Sequence, residues 1–378
     1  MATLPSASAA DHPSRAAEAS RAGFLGNLFA GRLRWDLISP FPRSPATGDA
    51  VVEEMTRAVR EVVDPEEVER TGALPGGYVD ALRARRLLSL GMPPAAGGRG
   101  LSYFDVFRVV RAAMSWSLPA GYVVAVHNGI GAGAILDAIP EGATKEYVRS
   151  AVAAGALSGW ADTEATGAGN RMPLTRARPS DDGEAYLLDG EKLYTVNASI
   201  ANLLVVSATL PNDAGEDESR VFFVDTSTPG FRVTSLHELM GIRGLPMARM
   251  SFDGVRVPKD RLLAGDEGHW RLTSLLEPLS ALGRMYIVVA SSLATADRCV
   301  AWSRDFVQRR QVDGRPIASY EAIQRLTAGN AADAYAMETV ACFCLAGIDA
   351  ARLSLRWFEQ VAAKNVASML CARVVDRT

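Results

Sequence analysis

The residues that could carry chemistry lie in one stretch and in a few isolated positions. Residues 189–210, DGEKLYTVNASIANLLVVSATL, end in an apolar run typical of a strand. They begin with charged, aromatic and hydroxyl side chains that a simple buried strand does not need. Elsewhere, Glu164 beside Thr163 could be read as an acid/base group, and His127 is of the type that titrates near neutral pH. These positions could form a binding surface, or they could be only the polar parts of a folded core.

The isolated candidates are weak when their surroundings are considered. His127 lies in VVAVHNGIGAG between two apolar stretches, which favours a packed, hydrogen-bonded helix residue over a role in a substrate channel. The glycine-rich pieces AAGGRG and NGIGAGAI do not follow a strand and open a helix, so a dinucleotide fingerprint is not predicted. No set of histidines, cysteines and carboxylates has metal-ligand spacing, and we expect no metal site.

Composition indicates an ordinary globular protein. The chain has 378 residues, 48% hydrophobic and 22% charged, with a formal net charge of −3. No Lys/Arg-rich block suggests a nucleic-acid partner, and no run of about 18 uninterrupted apolar residues predicts a membrane span. The four cysteines form no CxxC pair, which argues against a disulfide framework or a zinc site and makes a reducing cytoplasm the expected location.

Hydrophobic periodicity divides the chain into an extension and three domains. Residues 1–47 form an N-terminal extension: the first 20 are Ala/Ser-rich and predicted disordered, and FLGNLFAGRLRWDLI is predicted to form a short amphipathic helix. Residues 48–155 have helical spacing, and residues 156–268 contain short β-branched runs between turn residues. Residues 269–378 are helical again. The order of helices, β domain, then helices predicts an α+β fold.

Four segments, in order, resemble motifs of the acyl-CoA dehydrogenase superfamily. GWADTEATGAGN (159–170) is similar to the family's flavin-contacting Thr-Glu-Pro-Gly-Ala-Gly-Ser-Asp loop, and GEKLYTVNASIANLLVV (190–206) to its Gly-x-Lys-x-Trp-Ile-Thr-Asn-Gly strand pair. GIRGLPMARMSFDGVRVPKDRLLAGDEG (241–268) and RRQVDGRPIASYEAIQRL (309–326) resemble the segment that closes the β domain and the Arg-x-x-Phe-Gly loop. The resemblance runs from about residue 48 to the end. It implies the acyl-CoA dehydrogenase-like fold, with an N-terminal helical domain, a middle antiparallel β domain and a C-terminal helical bundle.

The resemblance also implies a bound FAD and the residues that contact it. Tyr194 takes the place of an aromatic packed on the isoalloxazine, Trp160 a second aromatic position, and Thr163 that of a donor toward the pyrimidine edge. Such groups suit a flavin because fixed donors stabilise the negative charge that reduction builds. The implied cofactor contacts are Trp160, Thr163, Gly169, Asn170, Tyr194, Val196 and Arg310. Without the ordered motifs, the two aromatics would read as core residues of a β domain.

The sequence also departs from the family's pattern. Val196 replaces a threonine near flavin N5 and has no side-chain donor, Asn170 replaces a serine, and the flavin loop carries one extra residue. Arg310, or Arg309 in the alternative register, corresponds to an arginine that reaches a neighbouring subunit's flavin. Nearby, Asp313 replaces a phenylalanine and Glu321 a glutamine, and these two acids would repel a pyrophosphate.

The family's catalytic carboxylate is not found. One family position for it, just before an arginine on the first C-terminal helix, is Gly283 here, or Arg284 in the shifted register. Glu277 points about 240° away from that position on a helix. The other family position is a glutamate after a Gln-x-x-Gly-Gly turn, and the sequence stops at AAKNVASMLCARVVDRT before such a turn. A longer working protein, a partner-supplied base, or a reaction other than dehydrogenation would each explain this.

Three functions follow from the resemblance. The first is FAD-dependent α,β-dehydrogenation of an acyl thioester on coenzyme A or a carrier protein, with Arg284 as a substrate contact and Ala281 in place of a family aspartate. The second is a flavin-dependent monooxygenase, which needs no α-proton base. The third is a non-catalytic flavin-binding subunit of a hetero-oligomer. Because the family completes its flavin site with a neighbouring chain, we also expect a homodimer or homotetramer.

Overall fold

A computed structural model describes residues 21–43, 47–167, 172–263, 279–349, 353 and 355–378. The first domain is helical. Its helices are α2 (Asp49–Val62), α3 (Pro65–Thr71), α4 (Tyr78–Ala84), α5 (Tyr103–Trp116), α6 (Leu118–Gly129) and α7 (Ala143–Ala153), preceded by a short helix α1 (Phe24–Phe29). The sequence sets several of the ends. Asp64 accepts from the Glu66 N–H and Ser102 from the Asp105 N–H, so each caps the helix that follows it.

The middle domain is a curled, mainly antiparallel sheet. Its strands are β1 (Ser158–Ala161), β2 (Arg176–Pro179), β3 (Ala185–Val196), β4 (Leu203–Pro211), β5 (Asp217–Asp225), β6 (Phe231–Leu236) and β7 (Met247–Pro258). The path runs β1-β4-β2-β3-β7-β6, with β5 on the other side of β4. The β-branched runs of the sequence are therefore strands, as predicted. Most strand pairs of this domain are antiparallel, as the resemblance implies, and in addition β1 and β2 each pair with β4 in parallel.

Three long helices lie in the described part of the third domain. Helix α8 is continuous over Leu279–Arg309, with a π-helical turn at Met285–Val289, and is followed by a small hairpin of β8 (Gln311–Val312) and β9 (Arg315–Pro316). Helices α9 (Glu321–Leu345) and α10 (Trp357–Arg377) complete the bundle. By length and composition, α8 is long and apolar enough to cross a membrane, but one such helix is weak evidence for a membrane span. In addition, 61% of its most apolar stretch of 18 residues is buried in the protein, and the buried core helix of a soluble protein can have the same length and composition.

One hydrophobic core joins the two helical domains, and α8 lies at its centre. Met285, Tyr286 and Val289 of α8 pack in the same cluster as Val110 of α5 and Val124 of α6. The β domain has its own core inside the curled sheet, and its other face packs on the 132–152 region of the first domain. The region between sheet, α6 and α8 is therefore where residues from all three domains meet.

The N-terminal segment is ordered from residue 21 to 43 and packs on the third domain. Helix α1 is shorter than the amphipathic helix that the sequence predicts. Phe24 and Phe41 contact the Phe343 ring at centroid distances of 6.1 and 6.2 Å, and the Leu25 N–H donates to Glu359 Oε1 at 3.1 Å. This part of the extension is thus a docking segment. Residues 1–20, where disorder was predicted, lie outside the described residues.

Candidate functional site

The two sequence runs that resemble flavin contacts meet at one edge of the β domain. The Leu193 N–H donates to the Thr163 carbonyl at 2.7 Å. The buried Asn197 side chain donates to the Ser158 carbonyl at 3.1 Å and, through the same nitrogen, to the Val123 carbonyl of α6. Positions about 30 residues apart in the sequence are therefore adjacent, and the same asparagine ties them to the first helical domain.

A close backbone approach keeps these runs together. A Cβ at Gly159 would lie 2.6 Å from the carbonyl oxygen of Val196, so only glycine lets β1 pass the end of β3 at this distance. Trp160 follows on β1. It is half-buried and packs on the outer face of the sheet with the cluster that contains Met92 and Ile135. It is therefore partly a core residue, as the simpler interpretation of the sequence holds.

Tyr194 is presented by a β-bulge. The β3–β7 register shifts between Lys192 and Thr195, and Tyr194 lies there at φ 52°. Bulges of this kind redirect side chains and are common beside active sites. The tyrosine ring is 55% exposed, and one side of it packs on the His237 imidazole at a centroid distance of 4.6 Å. Tyr194 is thus not a core aromatic. Nothing in the sequence pattern indicated His237, because the contact joins β3 to the residue that follows β6.

The donor set of this edge fits a flavin in part. The Thr163 hydroxyl makes no hydrogen bond to another residue in the described ranges, so it is free to donate. The half-buried Val196 pairs with Met247 across the sheet and supplies no side-chain donor. Two available aromatic side chains and one available hydroxyl suit an isoalloxazine, which is flat and carries acceptors at its pyrimidine edge. Gly169 and Asn170, the other predicted contacts of this loop, lie outside the described residues.

A buried ion pair anchors the chain that follows Thr163. Lys192 Nζ is completely buried, 2.7 Å from Glu164 Oε1 and 3.1 Å from Ser207 Oγ. Glu164 also accepts from the Thr175 N–H at 2.9 Å and from its hydroxyl at 2.7 Å. Burial raises the pKa of Glu164, but these hydrogen bonds outweigh it and hold that pKa below its usual value. Glu164 therefore remains charged and anchors the chain on both sides of this loop, and its partner Lys192 is a residue that sequence reasoning did not select.

Helix α8 carries the candidate substrate contact Arg284, but it has a glycine at the position that resembles a family base site. Arg284 is exposed and donates to Ser280 Oγ at 2.8 Å. At Gly283, a Cβ would lie 2.5 Å from Ile130 Cγ2 and 3.2 Å from the Gly129 carbonyl oxygen. The position that resembles a family base site is therefore crowded by the end of α6, and any side chain there would require Ile130 or the backbone at Gly129 to shift. Glu277 lies outside the described residues.

The two arginines at the end of α8 differ in their partners. Arg309 Nη2 lies 2.6 Å from Asp305, whereas Arg310 has no ion-pair partner among the residues described. Arg310 lies 26 residues beyond Arg284, roughly 39 Å at 1.5 Å per residue. Arg310 is therefore too far from Arg284 for both arginines to contact the same small group within one chain. The two acidic residues that depart from the family's pattern also have partners. Glu321 pairs with Arg325 of the same helix at 2.6 Å, and Asp313 accepts a hydrogen bond from the Tyr320 hydroxyl at 3.3 Å.

A cavity of about 450 Å³ opens between the first domain and α8. His127 and Ser89 form part of its buried floor, and Leu282 and Tyr286 of α8 line one wall. Burial lowers the pKa of His127 to about 4, so the imidazole is neutral near pH 7. Its Nδ1 lies 2.9 Å from Ser158 Oγ. His127 is therefore both a packed, hydrogen-bonded core residue and a cavity residue, and Ser158 connects it to β1 and Trp160.

Family comparisons agree with this arrangement. Three models match in order: the acyl-CoA dehydrogenase N-terminal domain over residues 46–155, its middle domain over 159–255 and its C-terminal domain over 279–378. The chain belongs to the acyl-CoA dehydrogenase family. Its fold is that of the family, as the resemblance predicted.

Individual relatives are similar over different lengths. Probable acyl-CoA dehydrogenase FadE10 of Mycobacterium tuberculosis is 31% identical over 93% of this chain and 54% of its own, so the chain spans about half the length of that relative. The 3-sulfinopropanoyl-CoA desulfinase of Paraburkholderia xenovorans is 30% identical over 69% of this chain and 67% of its own. The crystal structure of an acyl-CoA dehydrogenase complexed with FAD from Bacillus anthracis superimposes with a TM-score of 0.74 at 21% identity, over 89% of this chain and 60% of that one.

Proposed function

We propose that this chain binds FAD and oxidises an acyl thioester, carried on coenzyme A or a carrier protein, by α,β-dehydrogenation. The observation that supports this most directly is the junction of the 160–163 and 193–196 runs, held by the 2.7 Å hydrogen bond from Leu193 to Thr163. Family membership supports it, as does the FAD named with the Bacillus anthracis structure. When bound, FAD supplies the acceptor for the β-hydride.

The chain's own residues would position the cofactor and the substrate. Tyr194 has one ring side against His237, which leaves its other side or its edge for the flavin. Trp160 on β1 would border the flavin site, and the Thr163 hydroxyl would donate a hydrogen bond to an acceptor atom of the flavin. Arg284 would hold the thioester arm from α8. Proton abstraction has no assigned residue, because a general base must lie within about 3 Å of the substrate proton, and Gly283 cannot carry one.

A flavin-dependent monooxygenase is a second candidate, and one observation favours it. The α8 position at Gly283 is crowded by Gly129 and Ile130, and a monooxygenase needs no α-proton base. One relative is named a desulfinase, so a related protein is named for a reaction other than dehydrogenation.

An absorption spectrum followed by anaerobic titration distinguishes these functions. The purified protein, supplemented with FAD, is titrated with a panel of acyl-CoA thioesters without oxygen. We expect bleaching of the oxidised flavin band by at least one thioester. A flavin band that no thioester bleaches, but that reacts with oxygen after chemical reduction in the presence of substrate, would instead indicate the monooxygenase. A stable flavin band with neither reaction would indicate a non-catalytic subunit.

Replacing Tyr194 with alanine is expected to shift the absorption and fluorescence of the bound flavin, because the largest exposed aromatic surface of the site is removed. Flavin affinity should fall by about 5-fold to 10-fold, the value of one aromatic contact of 1 to 1.4 kcal/mol. Tyr194→Phe keeps the ring and is the matched control. Identical spectra for the alanine variant and the wild type would exclude Tyr194 from the flavin site.

Replacing Arg310 with alanine is expected to reduce flavin retention during gel filtration without changing the thermal unfolding temperature. We propose that Arg310 contacts the flavin pyrophosphate of a neighbouring copy of this chain, since it is far along α8 from the site of its own chain. Arg309→Ala, which removes a guanidinium already paired with Asp305, is the control. Equal flavin loss in both variants, or in neither, would contradict the assignment.

A further inference from the structure

Tyr194 and His237 are in contact although they do not lie on neighbouring strands. Tyr194 belongs to β3, His237 follows β6, and β7 runs between those two strands. Neighbouring strands lie about 4.8 Å apart, so residues on either side of β7 would start about 10 Å apart. The two ring centroids are nevertheless 4.6 Å apart. The side chains therefore lean toward each other over β7.

The backbone at Tyr194 produces this contact. Its φ of 52° lies in the left-handed region, which residues other than glycine rarely adopt. The register of β3 on β7 shifts beside it, between Lys192 and Thr195. A bulge of this kind turns a side chain away from the direction that it would have in a regular strand. Such a conformation persists only where the surrounding structure holds it, and the His237 imidazole is a ring that packs on this tyrosine.

The backbone around His237 is itself fixed at two places. Its N–H donates to the Met247 carbonyl at 2.9 Å, and Met247 pairs with Val196 of β3. Farther along the connection between β6 and β7, the Arg243 side chain donates to the Glu69 carbonyl of α3 at 3.0 Å. The imidazole is therefore carried by a segment that is tied both to the β sheet and to the first domain.

The imidazole contributes its ring surface rather than a hydrogen bond through Nε2. His237 Nε2 is buried and has no hydrogen-bond partner among the residues that the structure describes. A buried polar atom without a partner lowers stability, so this nitrogen does not hold the ring in place. The ring does provide a flat surface against Tyr194, which is 55% exposed. One side of the tyrosine is thus supported, and its exposed part remains open to a ligand.

We propose that His237 is a positioning residue of the flavin site. It holds the Tyr194 ring in the orientation in which the side opposite the imidazole meets the isoalloxazine. The tyrosine then stands between the two, so His237 acts through Tyr194 and does not contact the flavin. Because the role is defined toward the flavin, it rests on the proposed function. Without the imidazole the tyrosine ring would be free to turn, and flavin binding would have to order it.

Magnetic resonance of the histidine rings tests the contact before FAD is added. The chain has four histidines, so the His237 ring resonance is identified by its loss in His237→Phe. We expect this resonance to move in Tyr194→Ala, because the ring current of the tyrosine acts on an imidazole 4.6 Å away. Tyr194→Phe keeps the ring and should leave the resonance near its wild-type position. A resonance that Tyr194→Ala does not move would overturn the contact.

A double-mutant cycle tests whether His237 acts through Tyr194. FAD affinity is measured by flavin fluorescence for the wild type, His237→Ala, Tyr194→Ala and the variant with both changes. We expect His237→Ala to weaken FAD binding by about 2-fold to 5-fold, the value of part of an aromatic contact, and to shift the flavin absorption band. The double variant should bind FAD as weakly as Tyr194→Ala alone, because the support has no effect once the tyrosine is gone.

Two further variants separate the ring from the rest of the connection. His237→Phe keeps a flat ring against the tyrosine and should bind FAD within about 2-fold of the wild type. Glu238→Ala changes the exposed next residue and should leave FAD affinity unchanged. Circular dichroism and thermal unfolding establish that each variant is folded.

The outcomes separate the positioning role from the function on which it rests. Equal FAD affinity in His237→Ala and the wild type, or losses that add in the double variant, would overturn positioning through Tyr194. A His237→Phe protein that binds FAD as weakly as His237→Ala would overturn the role of the ring. If the wild type binds FAD but no thioester bleaches it, dehydrogenation fails and the positioning role stands. If the wild type binds no FAD, both fail.

Discussion

Replacing Lys192 with methionine is expected to lower the free energy of unfolding by about 3–5 kcal/mol, the loss typical when one partner of a buried ion pair is removed. The Lys192 ammonium is fully buried and lies 2.7 Å from Glu164 Oε1. Methionine has a similar length and no charge, so the main change is a buried carboxylate that has lost its counter-ion. Urea unfolding followed by circular dichroism measures the loss.

The same substitution should also weaken flavin binding. Glu164 holds Thr175 by two hydrogen bonds, and the chain between them is the loop that resembles a flavin contact. Adding Glu164→Gln to Lys192→Met should recover part of the stability, since a buried amide needs no counter-ion. Arg325→Met removes a partner from the exposed pair with Glu321 and should leave stability nearly unchanged. A double variant no more stable than the single one would show that the loss does not come from the unpaired charge.

Replacing Gly283 with alanine is expected to destabilise the protein by about 1–3 kcal/mol, although the same change in an open helix stabilises by about 1 kcal/mol. The new Cβ would lie 2.5 Å from Ile130 Cγ2 and 3.2 Å from the backbone oxygen of Gly129. The isoleucine side chain can move, but the backbone of α6 cannot move without displacing the core. Thermal unfolding and urea titration of the variant measure this cost.

A glycine in another helix provides the control. At Gly329 in α9, an added Cβ would meet only the end of the Arg377 side chain, at 3.0 Å, which is flexible. Gly329→Ala should therefore be neutral or stabilising. Gly283→Glu should unfold the protein rather than install a base. A folded Gly283→Glu protein whose flavin is bleached by an acyl-CoA that leaves the wild type unchanged would contradict the assignment of Gly283 as a crowded position.

The fold could be predicted because its signals are local and repeated. Helical spacing in the first and last domains and the β-branched runs of the middle domain are each set by residues close in sequence, and the structure has helices and strands there. The N-terminal segment was predictable only in part. Its docking depends on Phe343 and Glu359, more than 300 residues away, and no periodicity of the segment itself could indicate them.

The candidate site also combines residues that the sequence indicates with contacts that only the fold brings together. Motif order indicated Trp160, Thr163 and Tyr194, since these types follow the family's pattern at the right spacing. It could not indicate His237, which lies just after β6 and packs on Tyr194, nor that Lys192 and Glu164 form a buried pair across 28 positions. For His127 the sequence favours a packed, hydrogen-bonded residue, and the structure shows one that also lines a cavity; its role in a substrate channel stays a prediction.

The sequence by itself determined the family, the order of the domains and the absence of a carboxylate at Gly283, because residue type and spacing along the chain are enough for each. Only the tertiary structure decided that this position is crowded by α6, that Tyr194 is exposed beside His237, and that a cavity with His127 and Ser89 on its floor opens between the first domain and α8. Each of these depends on the distance between elements far apart in sequence. Such distances arise from the packing of α6, α8 and the sheet against one another, which no local pattern encodes.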